Sequence, residues 1–251
     1  RGPVARATAA TRYPFIWNAA IQDRTQWPGF AANGNDLLGL ARNTGEVIGV
    51  FAEFNPKPDP NKLLKVDYSS VNSSNTEGLM ALEDLIKKIG PPQYQWPVDR
   101  ALAKKGEDIF NWPTARGGCA ECHGIVMTRD SLTGKPTWRT PLQDVGTDSH
   151  EYDILKWEVD TGVLAGKRIP GLTKPLKARD LAFSALGLSV EGTIIQRLGT
   201  VIDNVRRSPD LADDDSHRTS LSAAFQPPAD DGQPFKYESR VLQGIWAAAP
   251  Y

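Results

Sequence analysis

The residues of this 251-residue chain best suited to chemistry stand together. The run Gly118-Cys119-Ala120-Glu121-Cys122-His123-Gly124 holds both of its cysteines and one of its three histidines. Cys-x-x-Cys-His is the attachment pattern for c-type haem. Two thiols on one turn reach the two vinyl groups of a single porphyrin, and the adjacent imidazole points at its iron. The sequence therefore predicts one covalent haem c on Cys119 and Cys122, with His123 as the proximal iron ligand.

Three other chemistries use similar residues. A thioredoxin-like dithiol sits where a strand leads into a helix, whereas the approach here is NWPTARGG, with no strand pattern before it. A zinc site needs further ligands, and the remaining histidines, His150 and His217, stand alone in the sequence. A disulfide between Cys119 and Cys122 would close a very small loop and gain little entropy.

The sixth iron position decides what such a haem does. A second strong ligand makes a closed electron carrier, and an open position admits peroxide or gas. His150 has enough chain between it and His123 to reach the opposite haem face, although VGTDSHEY also suits a surface turn. Met127 is tethered too closely to His123 and reads as packing, and Met80 falls on a predicted helix as core. His217 follows the acidic run Asp213-Asp214-Asp215, a pattern typical of solvated surface. An enzyme would also need an acid–base group over the distal face. Glu77 and Glu158 are of the right type, but nothing in their spacing singles them out.

Composition narrows the rest. With 29 Lys and Arg against 30 Asp and Glu, the chain has no overall charge with which to hold nucleic acid. No apolar run approaches the roughly 18 residues that a membrane span requires. Two cysteines exclude a disulfide-rich scaffold and any four-thiolate zinc or iron–sulfur centre.

Periodicity supplies the elements that must position the motif. PVDRALAKKGEDIF over Pro97–Phe110 predicts a short amphipathic helix entering the Cys-x-x-Cys-His loop. A second helix is expected over Ser74–Ile89, with Leu79, Leu82, Leu85, Ile86 and Ile89 on one face and Gly90-Pro91-Pro92 as its stop. A third is expected over Ser189–Val205. Elsewhere, turn formers such as NPKPDPNK, TGKPTWRTP and AGKRIPGLTKPLKARD predict long loops. Residues 1–96 thus read as an irregular covering segment with one helix, and residues 97–251 as the haem-binding domain.

RYPFIWNAAIQDRTQWPGF, LARNTGEVIGVF, GEDIFNWPTARGGCAECHG, VGTD and the closing ESRVLQGIWAAAPY carry a family resemblance over most of the chain. Together they resemble the C-terminal half of bacterial di-haem c-type cytochromes related to cytochrome c peroxidase and to rubber-cleaving haem oxygenases. The resemblance implies a mainly α fold with long irregular loops, in which a class I cytochrome c-like haem domain follows an irregular covering segment. In that fold a small residue such as Gly106 lets another helix cross closely.

In such proteins an upstream haem reacts with peroxide or dioxygen and a downstream haem relays electrons. Cys119, Cys122 and His123 match the downstream position, and this sequence carries no upstream motif. The resemblance therefore implies the relay part of a longer protein, continuing beyond Tyr251 to a segment that approaches the second haem face. Its partner would be a second haem domain or a redox protein. Covalent haem attachment further implies a periplasmic or secreted bacterial protein. The expected function is electron transfer; the competing expectation is a peroxidase or oxygenase in which this haem reacts directly.

Overall fold

The computed structural model describes residues 14–168, 175–197 and 235–248. Six α-helices lie among them: α1 (Asp36–Glu46), α2 (Thr76–Ile86), α3 (Arg100–Phe110), α4 (Ala120–His123), α5 (His150–Leu155) and α6 (Ala182–Gln196). Ten short strands pair as β1 (Arg24–Thr25) with β2 (Ala31–Ala32), and β3 (Lys57–Pro58) with β4 (Val66–Asp67). β5 (Val126–Arg129) pairs with β6 (Pro136–Arg139), and β8 (Glu158–Asp160) with β9 (Arg179–Leu181). The fifth ribbon joins β7 (Leu142–Gln143) to β10 (Tyr237–Glu238), and all five are antiparallel.

Helix α6 is apolar on nearly every side, which suits a helix surrounded by protein. Val190 and Ile194 pack with Leu37, Leu38, Leu40 and Ala41 of α1, while Leu79 and Met80 of α2 close that cluster. Ala185 and Leu188 face a second cluster with Val66, Tyr68, Leu164 and Leu176. Gly192 is what lets the Tyr68 ring lie against the helix, because a Cβ there would come within 2.6 Å of the ring. The core thus draws on residues from both sides of Pro97.

Helix α1 begins at Asn35, whose side chain accepts the Leu38 amide at 2.9 Å, and so satisfies one of the unpaired first-turn donors. A buried polar network then fastens α1 to α2. Arg42 donates to Glu83 at 3.0 Å and to Asn33 at 3.0 Å, and Asn43 donates to the same Glu83 oxygen at 3.1 Å. This network overrides the apolar stripe expected on α2. Glu83 is buried there, whereas Leu82 and Leu85 are exposed.

The expectation of a mainly α, class I cytochrome c-like domain is overturned. Small antiparallel ribbons recur along the chain, and among the described residues no helix crosses closely at Gly106. Every residue of α3 from Arg100 to Ile109 is exposed, and a Cβ built on Gly106 would meet nothing within 4 Å. The ribbons were illegible because strands of two to four residues give too few alternations for a period of two to show. Helix bounds also moved: α2 spans Thr76–Ile86, and α6 begins at Ala182 rather than near Ser189. The part of that expected helix beyond Arg197 lies outside the described residues.

Candidate functional site

Helix α3 delivers the chain to the site. Asp99 caps it by accepting the Ala101 and Leu102 amides at 2.9 and 3.0 Å. From Phe110 the backbone turns back on itself, so that the Cys119 amide donates to the Phe110 carbonyl at 2.8 Å and the Gly118 amide to Pro113 at 3.2 Å. The loop closes this tightly only with glycine at 118, since a Cβ there would stand 1.6 Å from the Trp112 carbonyl oxygen. Gly117 takes the left-handed φ of +84° that the same turn needs.

The motif itself forms one helical turn. The Cys122 and His123 amides donate to the Cys119 carbonyl at 3.1 and 2.8 Å. Positions i, i+3 and i+4 of a helix share a face, so both thiols and the imidazole rise from one side of the turn. Cys119 is exposed, Cys122 half-buried, and the two are free thiols rather than a disulfide. The Cys122 thiol lies 3.6 Å from Gln143 Oε1, and Gln143 Nε2 donates to the Glu121 carbonyl at 2.6 Å. The Glu121 carboxyl is held below its usual range by hydrogen bonds from the Thr114 side chain and backbone.

His123 Nδ1 lies 2.8 Å from the Arg240 carbonyl oxygen. A carbonyl only accepts, so Nδ1 carries the proton, which puts the lone pair of the neutral tautomer on Nε2. This is how metal-ligating histidines are oriented, with the far nitrogen fixed by a hydrogen bond. Residues 237–248 bring Arg240 to this place. β10 pairs with β7, Thr140 Oγ1 donates to the Ser239 carbonyl at 2.8 Å, and Trp17 Nε1 donates to the Gln243 carbonyl at 3.1 Å. Beyond them, Trp246 donates to the Pro92 carbonyl at 3.1 Å and meets Tyr94 and Trp96 edge to face.

The residues fit a covalently attached haem. Two free thiols and an imidazole with Nε2 available occupy one turn, and large apolar side chains before and after it are left uncovered. Val98, Leu102, Ile109, Trp112, Ile125, Val126 and Met127 are all exposed. Single exposed apolar residues are ordinary, and these flank the motif closely in sequence. Among the described residues no three His, Cys, Asp or Glu side chains converge as an ion site.

The other described candidates make their contacts elsewhere. His150 is exposed at the start of α5, its Nδ1 2.6 Å from Asp148. Met127 projects from β5 into solvent instead of packing, while Met80 packs against the α1–α6 cluster. Glu77 is exposed in the first turn of α2, and Glu158 pairs with Arg179 at 3.1 Å on the surface. His217 lies outside the described residues. Arg240 and Gln143 escaped sequence reasoning: one acts through a backbone carbonyl, which carries no residue-type signal, and the other stands on a two-residue strand.

Comparisons with known protein families, with curated proteins and with solved structures return no match for this chain.

Proposed function

We propose that this chain is a c-type cytochrome unit that carries one covalent haem and passes electrons to a protein partner or a second haem domain. Haem, when bound, supplies an iron that cycles between ferric and ferrous states. Cys119 and Cys122 would hold it, each thiol adding its S–H across a vinyl double bond so that no other product forms. His123 would offer Nε2 to the iron. The Arg240 carbonyl fixes the ring's tautomer and makes Nε2 a stronger donor. The uncovered apolar residues of α3 and β5 would shield the porphyrin from water and leave an edge toward a partner. The single observation that carries this reading is the 2.8 Å bond from His123 Nδ1 to the Arg240 carbonyl, beside two free thiols on one helical turn.

The sequence resemblance supports a place as the electron-relaying part of a di-haem protein, on the outer side of the bacterial cytoplasmic membrane. No helix among the described residues is long and apolar enough to cross a membrane.

The test is expression with haem-attachment machinery, followed by haem staining after denaturing electrophoresis. The chain should stain, and Cys119→Ala/Cys122→Ala should not; a colourless native protein would refute the proposal. A reduced spectrum unchanged by carbon monoxide is the expected signature of an electron carrier. A carbon monoxide shift would show instead that this haem reacts directly.

A further inference from the structure

Arg240 faces two ways. Its carbonyl holds His123, and its guanidinium lies 4.0 Å over the Phe15 ring at the wall of a cavity of about 470 Å³. That cavity touches neither Cys119, Cys122 nor His123. Arg240 joins the two places, by its carbonyl at His123 and by its side chain at the cavity. Its volume falls in the range that holds small organic ligands.

The lining combines aromatic faces with a guanidinium that has no carboxylate partner. Trp17, Trp27 and Trp138 line it together with Phe15. Arg42 also lines it, but is committed to the buried Glu83. The two lining carboxyl groups are held away from Arg240 by uncharged donors: Glu46 accepts from Gln26, and Glu238 accepts from Gln22 at 2.8 Å and from the Thr140 amide at 3.2 Å. Among the described residues the Arg240 guanidinium has no carboxylate at ion-pair distance and rests on a ring instead. A guanidinium offers a planar fork of donors that matches a carboxylate.

Backbone strain points to the same place. Four non-glycine residues among those described have a left-handed φ, and two of them, Asn18 at +60° and Gln26 at +63°, line this cavity. Such conformations concentrate where binding geometry has to be held. Asn18 is fixed by the Trp138 indole, which donates to its carbonyl at 3.0 Å. Gln26 is fixed by Glu46.

We propose that this cavity binds a planar aromatic carboxylate, its ring system against the tryptophans and its carboxylate on Arg240. The binding does not rest on the haem reading, because every residue invoked lies outside the Cys119–His123 turn. Isothermal titration calorimetry on the full chain tests it with three probes of one shape: 2-naphthoate, neutral 2-naphthol and a 2-naphthyl trimethylammonium. The naphthoate should bind saturably and more tightly than the other two. Arg240→Gln, which keeps the backbone carbonyl that holds His123, should weaken naphthoate by about tenfold or more and naphthol by less than about twofold. Arg240→Lys should restore part of the difference, and circular dichroism would verify that both variants fold. The proposal is overturned by no heat of binding at about 1 mM naphthoate. It is overturned equally by tighter binding of the ammonium probe, or by an Arg240→Gln variant that binds naphthoate like the native chain.

Discussion

Replacing Glu191 with glutamine should stabilise this protein, and increasingly so as pH rises. The carboxyl sits on α6 between Val190 and Gly192, is only 3% exposed, and has one oxygen, Oε2, buried with no hydrogen-bond partner. Burial without a partner disfavours the charged form and lifts this group from its ordinary 4.5 to about 7. Between those values the native state holds the proton that the unfolded chain releases, so stability falls as pH rises through that window. A shift of that size amounts to about 3 kcal/mol when the window is fully crossed, at about 1.4 kcal/mol per pH unit. Glutamine has the same shape and no charge to bury. Urea unfolding followed by far-ultraviolet circular dichroism at about pH 5 and about pH 8 reads the difference. The two proteins should lie close together in acid, with the variant about 2 to 3 kcal/mol more stable in base. Other titrating groups act on both proteins alike and cancel in the comparison. A gap of constant size across the pH range would refute the reasoning.

Two further substitutions probe other parts of the argument. Glu83→Ala leaves the Arg42 guanidinium, 10% exposed, without its counter-ion; a loss of about 3 to 5 kcal/mol is expected in urea unfolding, and a loss below about 1 kcal/mol would mean that the pair does not hold α1 to α2. Gly118→Ala forces a Cβ onto the Trp112 carbonyl, so the Cys119–His123 turn should be displaced and haem staining per mole of chain should drop sharply; undiminished staining would show that the loop relaxes freely.

Helices were legible in proportion to how much their own composition governs them. Helix α3 has an acidic cap and its own spacing, and it stands almost clear of the rest of the chain, so local signals suffice. The central position of α6 shows in its unbroken apolar content, whereas its start at Ala182 depends on β9 running directly into it. The stripe on α2 misled because a buried ion pair outweighed it. Leu82 and Leu85 stay exposed while Glu83 turns inward to meet Arg42, a residue 41 positions away. Nothing in a window of one helix length records such a partner.

The site divides in the same way. Cys119, Cys122 and His123 stand in one run of five residues, so their chemistry is written locally. What sets the imidazole's orientation is 117 positions downstream, in a backbone carbonyl that any residue would supply. Arg240 reaches that point only because β10 pairs with β7 and because Trp17, from the opposite end of the described chain, binds the Gln243 carbonyl. The tautomer of His123 therefore depends on a closure between residues 14–30 and 235–248, although neither stretch carries a ligating side chain in the motif. Loosening that closure should change the imidazole's donor strength without touching Cys119 or Cys122. On the proposed reading, haem attachment and ligand tuning would be separable: the five-residue run would govern the first, and the packing of the distant segments the second.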